Sequence, residues 1–174
     1  MQAEIITIGD ELLIGQVVDT NSAWLGRTLG EDGIKVTQIT SVQDDADQIA
    51  RTVNEALARV SIVLVTGGLG PTRDDITKHT LAELFGMRLV RDEQVYETVR
   101  RQLAVRGIAF NELNRGQALV PDGCTVLPNR NGTAPGMWFE RGGKILVSMP
   151  GVPFEMKALV TDEVLPRLRT HFSL

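Results

Sequence analysis

"VTGGLGPTRDDIT", residues 65–77, is the stretch on which the reading of this chain turns. The apolar run Ile62 to Val65 stops at Thr66. Gly67, Gly68, Gly70 and Pro71 follow, then Thr72, Arg73, Asp74 and Asp75. A buried strand that breaks into a glycine-rich turn and opens a helix is a frequent phosphate cradle, because backbone N–H groups approach the anion closely there. Two adjacent carboxylates would repel a bare phosphate. A purely structural reading uses one of Thr72, Asp74 and Asp75 as the helix cap and leaves the remaining acid, the glycines and the proline without a purpose. A divalent cation removes the conflict, since aspartate oxygens suit magnesium or manganese and the metal bridges carboxylate to phosphate oxygen.

Outward from this turn, short apolar runs alternate with longer amphipathic stretches. Ile5 to Ile8 reads as a buried strand closed by Gly9, and residues 34–42 as a strand with one wetter face. A helix is expected from about Asn21 to Asp32, its apolar stripe including Ala23, Trp24, Leu25 and Leu29. Ile49, Val53, Ala56, Leu57 and Val60 mark a second helix, capped by Asp44 or Asp45. A third runs from about Asp75 to Phe85. Residues 92–106 make a fourth, acids first and bases last, in accord with its dipole. Residues 108–135 are less regular, with a short helix expected in "NELNRGQAL". Residues 137–149 form a strand pair around Gly142-Gly143, and Pro153 opens a last helix through Phe154, Met156 and Leu159 to Leu165. This alternation predicts an α/β fold, a mostly parallel sheet covered on both faces in three layers.

The composition limits the function classes. With 174 residues the chain is expected to form one domain. A formal charge of −4 and no basic stripe argue against nucleic acid as a partner. One cysteine, Cys124, excludes an internal disulfide and suits a reducing cytoplasm. With only His79 and His171 beside it, a zinc cluster is not expected. No apolar run approaches the ~18 residues of a membrane span, so no membrane partner is expected.

Ligands of such sheets bind beyond the carboxyl ends of the strands, which selects four loops: 9–21, 43–45, 67–75 and 150–153. Asp19 is read as the cap of the first long helix. Asp10 and Glu11, directly after a strand, have no capping duty. Asp44 and Asp45 divide evenly between a cap with a first-turn acid and a functional pair. Pro150, Gly151, Val152 and Pro153 form a tight turn whose amides can close over a ligand. Residues 129–136, with Gly132 and Thr133, form a polar loop whose default meaning is connection. Trp24 is read as core, and Cys124 as a small buried hydrophobe.

"IGDELLIGQVVDTNSAWL", "VTGGLGPTRDDIT", "NRGQALVP", "NGTAPG" and "MPGVPFEM" together, in order and spacing, resemble the N-terminal domain of the competence/damage-inducible protein A family, over about Ile5 to Leu168. The resemblance implies a molybdopterin-binding-like fold and divalent-metal-dependent hydrolysis (magnesium, manganese or cobalt) of the diphosphate of ADP-ribose to AMP and ribose 5-phosphate. Relatives in molybdenum-cofactor biosynthesis bind or adenylylate molybdopterin in the same pocket, which is the alternative. By motif the functional aspartates fall on Asp75 and on Asp44, less directly on Asp45, with Asp10 and Asp74 as further metal ligands. The nucleotide's phosphates fall to Gly67, Gly68, Gly70, Pro71, Thr72, Gly132, Thr133 and the 150–153 turn. A small-molecule nucleotide substrate and a homo-oligomer, dimer or trimer, are implied as well. Longer members continue into a deamidase domain, which these residues do not include.

Overall fold

A computed structural model of the protein describes residues 1–69 and 75–174, and of Asp75 the backbone alone. The glycine turn of residues 70–74, hence Gly70, Pro71, Thr72 and Asp74, lies outside the described residues.

β1 (Gln2–Ile8) is the hub. It pairs in parallel with β2 (Lys35–Val42) on one side and β3 (Ile62–Gly67) on the other. β8 (Lys144–Met149) continues the parallel set beside β3, and β7 (Gly136–Arg141) and β6 (Thr125–Leu127) close the far edge antiparallel. The order is β2-β1-β3-β8-β7-β6. β1, β3 and β8 are almost continuously buried, as strands covered on both faces must be. β2 has the wetter face read from sequence, with Lys35, Thr37, Ile39 and Ser41 exposed and Val36, Thr40 and Val42 less so. As the edge strand it is largely exposed, and Ile39 is 49% accessible.

One face of the sheet packs against α2 (Thr20–Glu31), α7 (Pro153–Leu159) and α8 (Leu165–Phe172), where Leu25, Leu29, Met156 and Leu168 meet Ile5 and Leu64. On the other, α3 (Ala46–Arg59) and α4 (Asp75–Leu84) bring Ile49, Val53 and Leu81 against Ile6, Val63 and Phe139. The expected stripe of α3 is buried throughout. Two positions expected on apolar stripes are not buried: Ala23 is exposed and Phe154 is 61% accessible. Ser22 is buried instead, with its hydroxyl and N–H both bonded to the Asp19 carboxylate. Trp24 is partly buried against the first core, as expected.

α5 (Glu93–Val105), capped by Asp92, packs with Ala118 and Val120 in a smaller satellite core. β4 (Leu89–Arg91) and β5 (Leu119–Pro121) form a separate two-stranded antiparallel sheet; β5 falls in the 108–135 stretch read as less regular, and β4 in a stretch for which no element was expected. α6 (Glu112–Gly116) is the expected short helix. The last helix runs past Leu165 to Phe172. A π turn (Val160–Val164) precedes Pro166, whose missing N–H and bulky ring disturb the preceding helical turn.

Candidate active site

The chain leaves β1 for β2 on one side and returns to β3 on the other, so a crevice opens at the carboxyl ends of β1 and β3. A cleft of about 460 Å³ lies there, within the range of small-molecule sites. All four loops selected from sequence contribute to its walls, and the 132–134 loop adds a fifth.

Its floor is built on close backbone approach. Gly67 has φ +98, and a Cβ there would collide with the carbonyl oxygen of Ile8. Gly151 sits against it, with its own Cβ position 3.1 Å from the Gly67 Cα. At Gly68, with φ +67, a Cβ would run into the Thr77 hydroxyl and would itself stand 3.4 Å from Asp44 Oδ1. The glycines therefore allow a carboxylate from the β2 end and a hydroxyl from the first turn of α4 to flank one spot. Thr77 is fully buried, and its hydroxyl has no hydrogen-bond partner among the described residues.

The structure separates the two adjacent acids after β2. Asp45 caps α3, its Oδ1 accepting from the Gln48 N–H at 2.9 Å. Asp44 is left to line the cleft. Asp19 caps α2, as read from sequence. Asp10 and Glu11 do have a local role that sequence missed: they are first-turn acids of the one-turn helix α1 (Asp10–Leu13). Asp10 Oδ1 accepts from the Asp44 N–H at 3.3 Å, and it is Glu11 that reaches the cleft wall. The Asp75 backbone begins α4, while its side chain lies outside the described residues.

Gly132, Thr133 and all of Pro150 to Pro153 line the cleft. The 150–153 turn is tied down by residues that sequence did not select: Thr66 donates to the Pro150 carbonyl at 3.1 Å, and Asn21 Nδ2 to the Gly151 carbonyl at 2.8 Å. The 129–134 loop is more than a connection. Buried Asn129 donates to the Ala134 carbonyl and to Glu155 Oε2, both at 2.8 Å, and accepts from the Asn131 N–H. A Cβ on Gly132 would run into the same Glu155 carboxylate. Only an asparagine at a turn-rich loop hinted at this in the sequence. Gln117 also lines the cleft, and no pattern in the sequence marked it.

Among the described residues no group of three or more His, Cys, Asp or Glu is gathered. The donors present, the Asp44 carboxylate and the Thr77 hydroxyl, are hard oxygens. They fit a magnesium-like ion, which takes one or two carboxylates and completes its shell with water and phosphate. Cys124 is half-buried, and burial pushes its thiol up to about 11, which disfavours the nucleophilic thiolate near neutral pH. Among the described residues no helix is long and apolar enough to cross a membrane.

Comparison with known proteins agrees with this architecture. Residues 4–170 match the family model described as "Probable molybdopterin binding domain". A CinA-like protein of Cytophaga hutchinsonii is 50% identical over 98% of the chain, which covers 41% of that relative; the chain thus spans about two-fifths of the length of the curated relatives it matches. The crystal structure of CinA from Thermoplasma acidophilum superposes with TM-score 0.84 at 37% identity, covering 92% of this chain and 94% of that one. MoaB from Thermus thermophilus, a molybdopterin biosynthesis enzyme, shares the fold at TM-score 0.64 and 19% identity, covering 99% of this chain and 97% of that one. With nearly its whole length matched, the chain belongs to the CinA family and carries that family's molybdopterin-binding-like domain.

Proposed function

We propose that this domain is a divalent-metal-dependent pyrophosphatase that hydrolyses the diphosphate of ADP-ribose, or of a similar nucleotide, to AMP and ribose 5-phosphate. One observation carries the reading: the Asp44 carboxylate and the buried Thr77 hydroxyl, which has no partner among the described residues, flank Gly68, and Asp44 and Gly68 line the cleft. Backbone N–H groups at that helix start favour an anion, and hard oxygens beside them favour the cation that neutralises it. Asp44 would hold the ion, with Asp75 and Asp74 as the sequence motif suggests and Asp10 orienting the Asp44 loop. When bound, such an ion polarises a phosphoryl oxygen and acidifies an attacking water. The chain's own groups orient the diphosphate, and the amides of the 67–69 and 150–153 turns stabilise charge on the transferring phosphoryl group.

The test is phosphorus NMR of the protein with ADP-ribose and magnesium, manganese or cobalt, against a chelator control. AMP and ribose 5-phosphate appearing only with metal support the reading. An unchanged diphosphate signal with every metal overturns it. The family model's description favours a second reading, molybdopterin binding or adenylylation in the same cleft. Tight molybdopterin binding without ADP-ribose turnover would put that reading first.

A further inference from the structure

We infer that Gln117 reads the nucleobase of the substrate held in this cleft. The inference rests on the reading of the cleft as a nucleotide site and names the part of the nucleotide that the diphosphate chemistry leaves unrecognised.

Gln117 follows α6 and is only 5% accessible. Neither its Oε1 nor its Nε2 has a hydrogen-bond partner among the described residues. A fold rarely buries both a donor and an acceptor without satisfying either, and where it does a water, an ion or a ligand supplies the partners. Gln117 lines the cleft and also a recess of about 20 Å³, walled by Leu69, Lys78, Ala134, Pro135 and Met137. That recess is about the size of one water. The backbone is anchored next door, where Lys78 Nζ donates to the Gly116 carbonyl at 2.7 Å.

An amide presents a donor beside an acceptor and is satisfied by a group that offers the complement. Phosphate and carboxylate offer acceptors only and would leave Oε1 orphaned. Adenine offers an acceptor beside a donor, N7 or N1 next to the 6-amino group, and amide side chains recognise adenine through the N7 and 6-amino pair. Leu69, Ala134, Pro135 and Met137 beside Gln117 suit the face of a base, and Lys78, the one charged group of the recess among the described residues, donates to the Gly116 carbonyl. Asp44 and Thr77, at the β2 and α4 side, are left for the diphosphate.

Calorimetric titration of AMP, of the 6-unsubstituted purine ribonucleotide and of ribose 5-phosphate into wild type, Gln117→Met and Gln117→Leu tests this, with ADP-ribose turnover followed in parallel. Each variant is expected to bind AMP about tenfold more weakly, the loss of about one hydrogen bond. Ribose 5-phosphate should change by less than twofold. Wild type should prefer AMP to the unsubstituted purine, and the variants should not. Both variants should also melt about 2–4 °C higher, because a buried orphan amide has been replaced by apolar atoms. If wild type shows this Gln117-dependent AMP binding but leaves ADP-ribose intact, the hydrolase reading falls and this one stands. Unchanged AMP affinity in both variants overturns it, as does equal weakening of AMP and ribose 5-phosphate. Wild-type turnover indifferent to the base overturns it while leaving the hydrolase reading in place.

Discussion

Replacing Gly67 by alanine isolates the close approach on which the cleft floor is built. At φ +98 any L side chain is strained, and the new Cβ would meet the Ile8 carbonyl oxygen, with the Ile8 carbonyl carbon 3.2 Å away. That obstacle is backbone, in the strand that pairs Ile8 with Gly67, so no rotamer change relieves it. Gly142, in the hairpin between β7 and β8, is the internal control. It has φ +58, and nothing lies within 4 Å of its Cβ position. Both variants carry the backbone term, about 1–2 kcal/mol for a side chain in this region. Only Gly67→Ala adds overpacking, about 1–3 kcal/mol. Urea unfolding of the two proteins should therefore show Gly67→Ala about 1–3 kcal/mol less stable than Gly142→Ala at equal m-value. A difference below about 0.5 kcal/mol, the ordinary scatter of surface changes, would refute the claim that β1 and β3 touch here because a glycine allows it.

Other expected outcomes follow from the same geometry. Asp45→Ala should lose about 1 kcal/mol of stability, the usual worth of a helix cap, and keep full activity in the phosphorus assay. Asn129→Ala breaks bonds to Ala134, Asn131 and Glu155 in a buried site and should cost about 1–3 kcal/mol by urea unfolding, with KM raised more than kcat is lowered. Cys124, held protonated to about 11 by burial, contributes stability that is complete below the unfolded thiol's value near 9 and is lost as pH rises toward 11. Alkylation of the native protein at pH 8 should accordingly be far slower than that of the urea-unfolded chain.

Much of this fold was legible because the sequence writes it in periodicities. The unbroken apolar runs of β1, β3 and β8 reflect burial on both faces, and the α3 stripe survives intact. β2 shows the wetter face expected of it, and only Ile39, an apolar residue left exposed on that edge strand, went unforeseen. β4 and β5 escaped notice since three-residue strands are too short to show a period. The site loops were legible through their concentration of glycines, prolines and acids after the strands, although Asp10, Glu11, Asp19 and Asp45 turn out to serve their own helices. Which of Asp44 and Asp45 caps α3 was not, because either carboxylate can do it and only the backbone direction after β2 decides. Asn21, Thr66, Asn129 and Gln117 were missed for a related reason. Their importance lies in partners up to 130 residues away, or in the lack of partners among the described residues, and neither leaves a local pattern.

The central claim is that the carboxylate at the β2 end, beside the buried Thr77 hydroxyl, works on a metal-bound diphosphate. The most direct measurement is the phosphorus-NMR rate of ADP-ribose hydrolysis, with saturating magnesium or manganese, by wild type and by Asp44→Asn of equal thermal stability. A loss of at least about 10²-fold, as for removal of one group that stabilises the transition-state charge, is the predicted result. Turnover by Asp44→Asn at the wild-type rate would contradict the account.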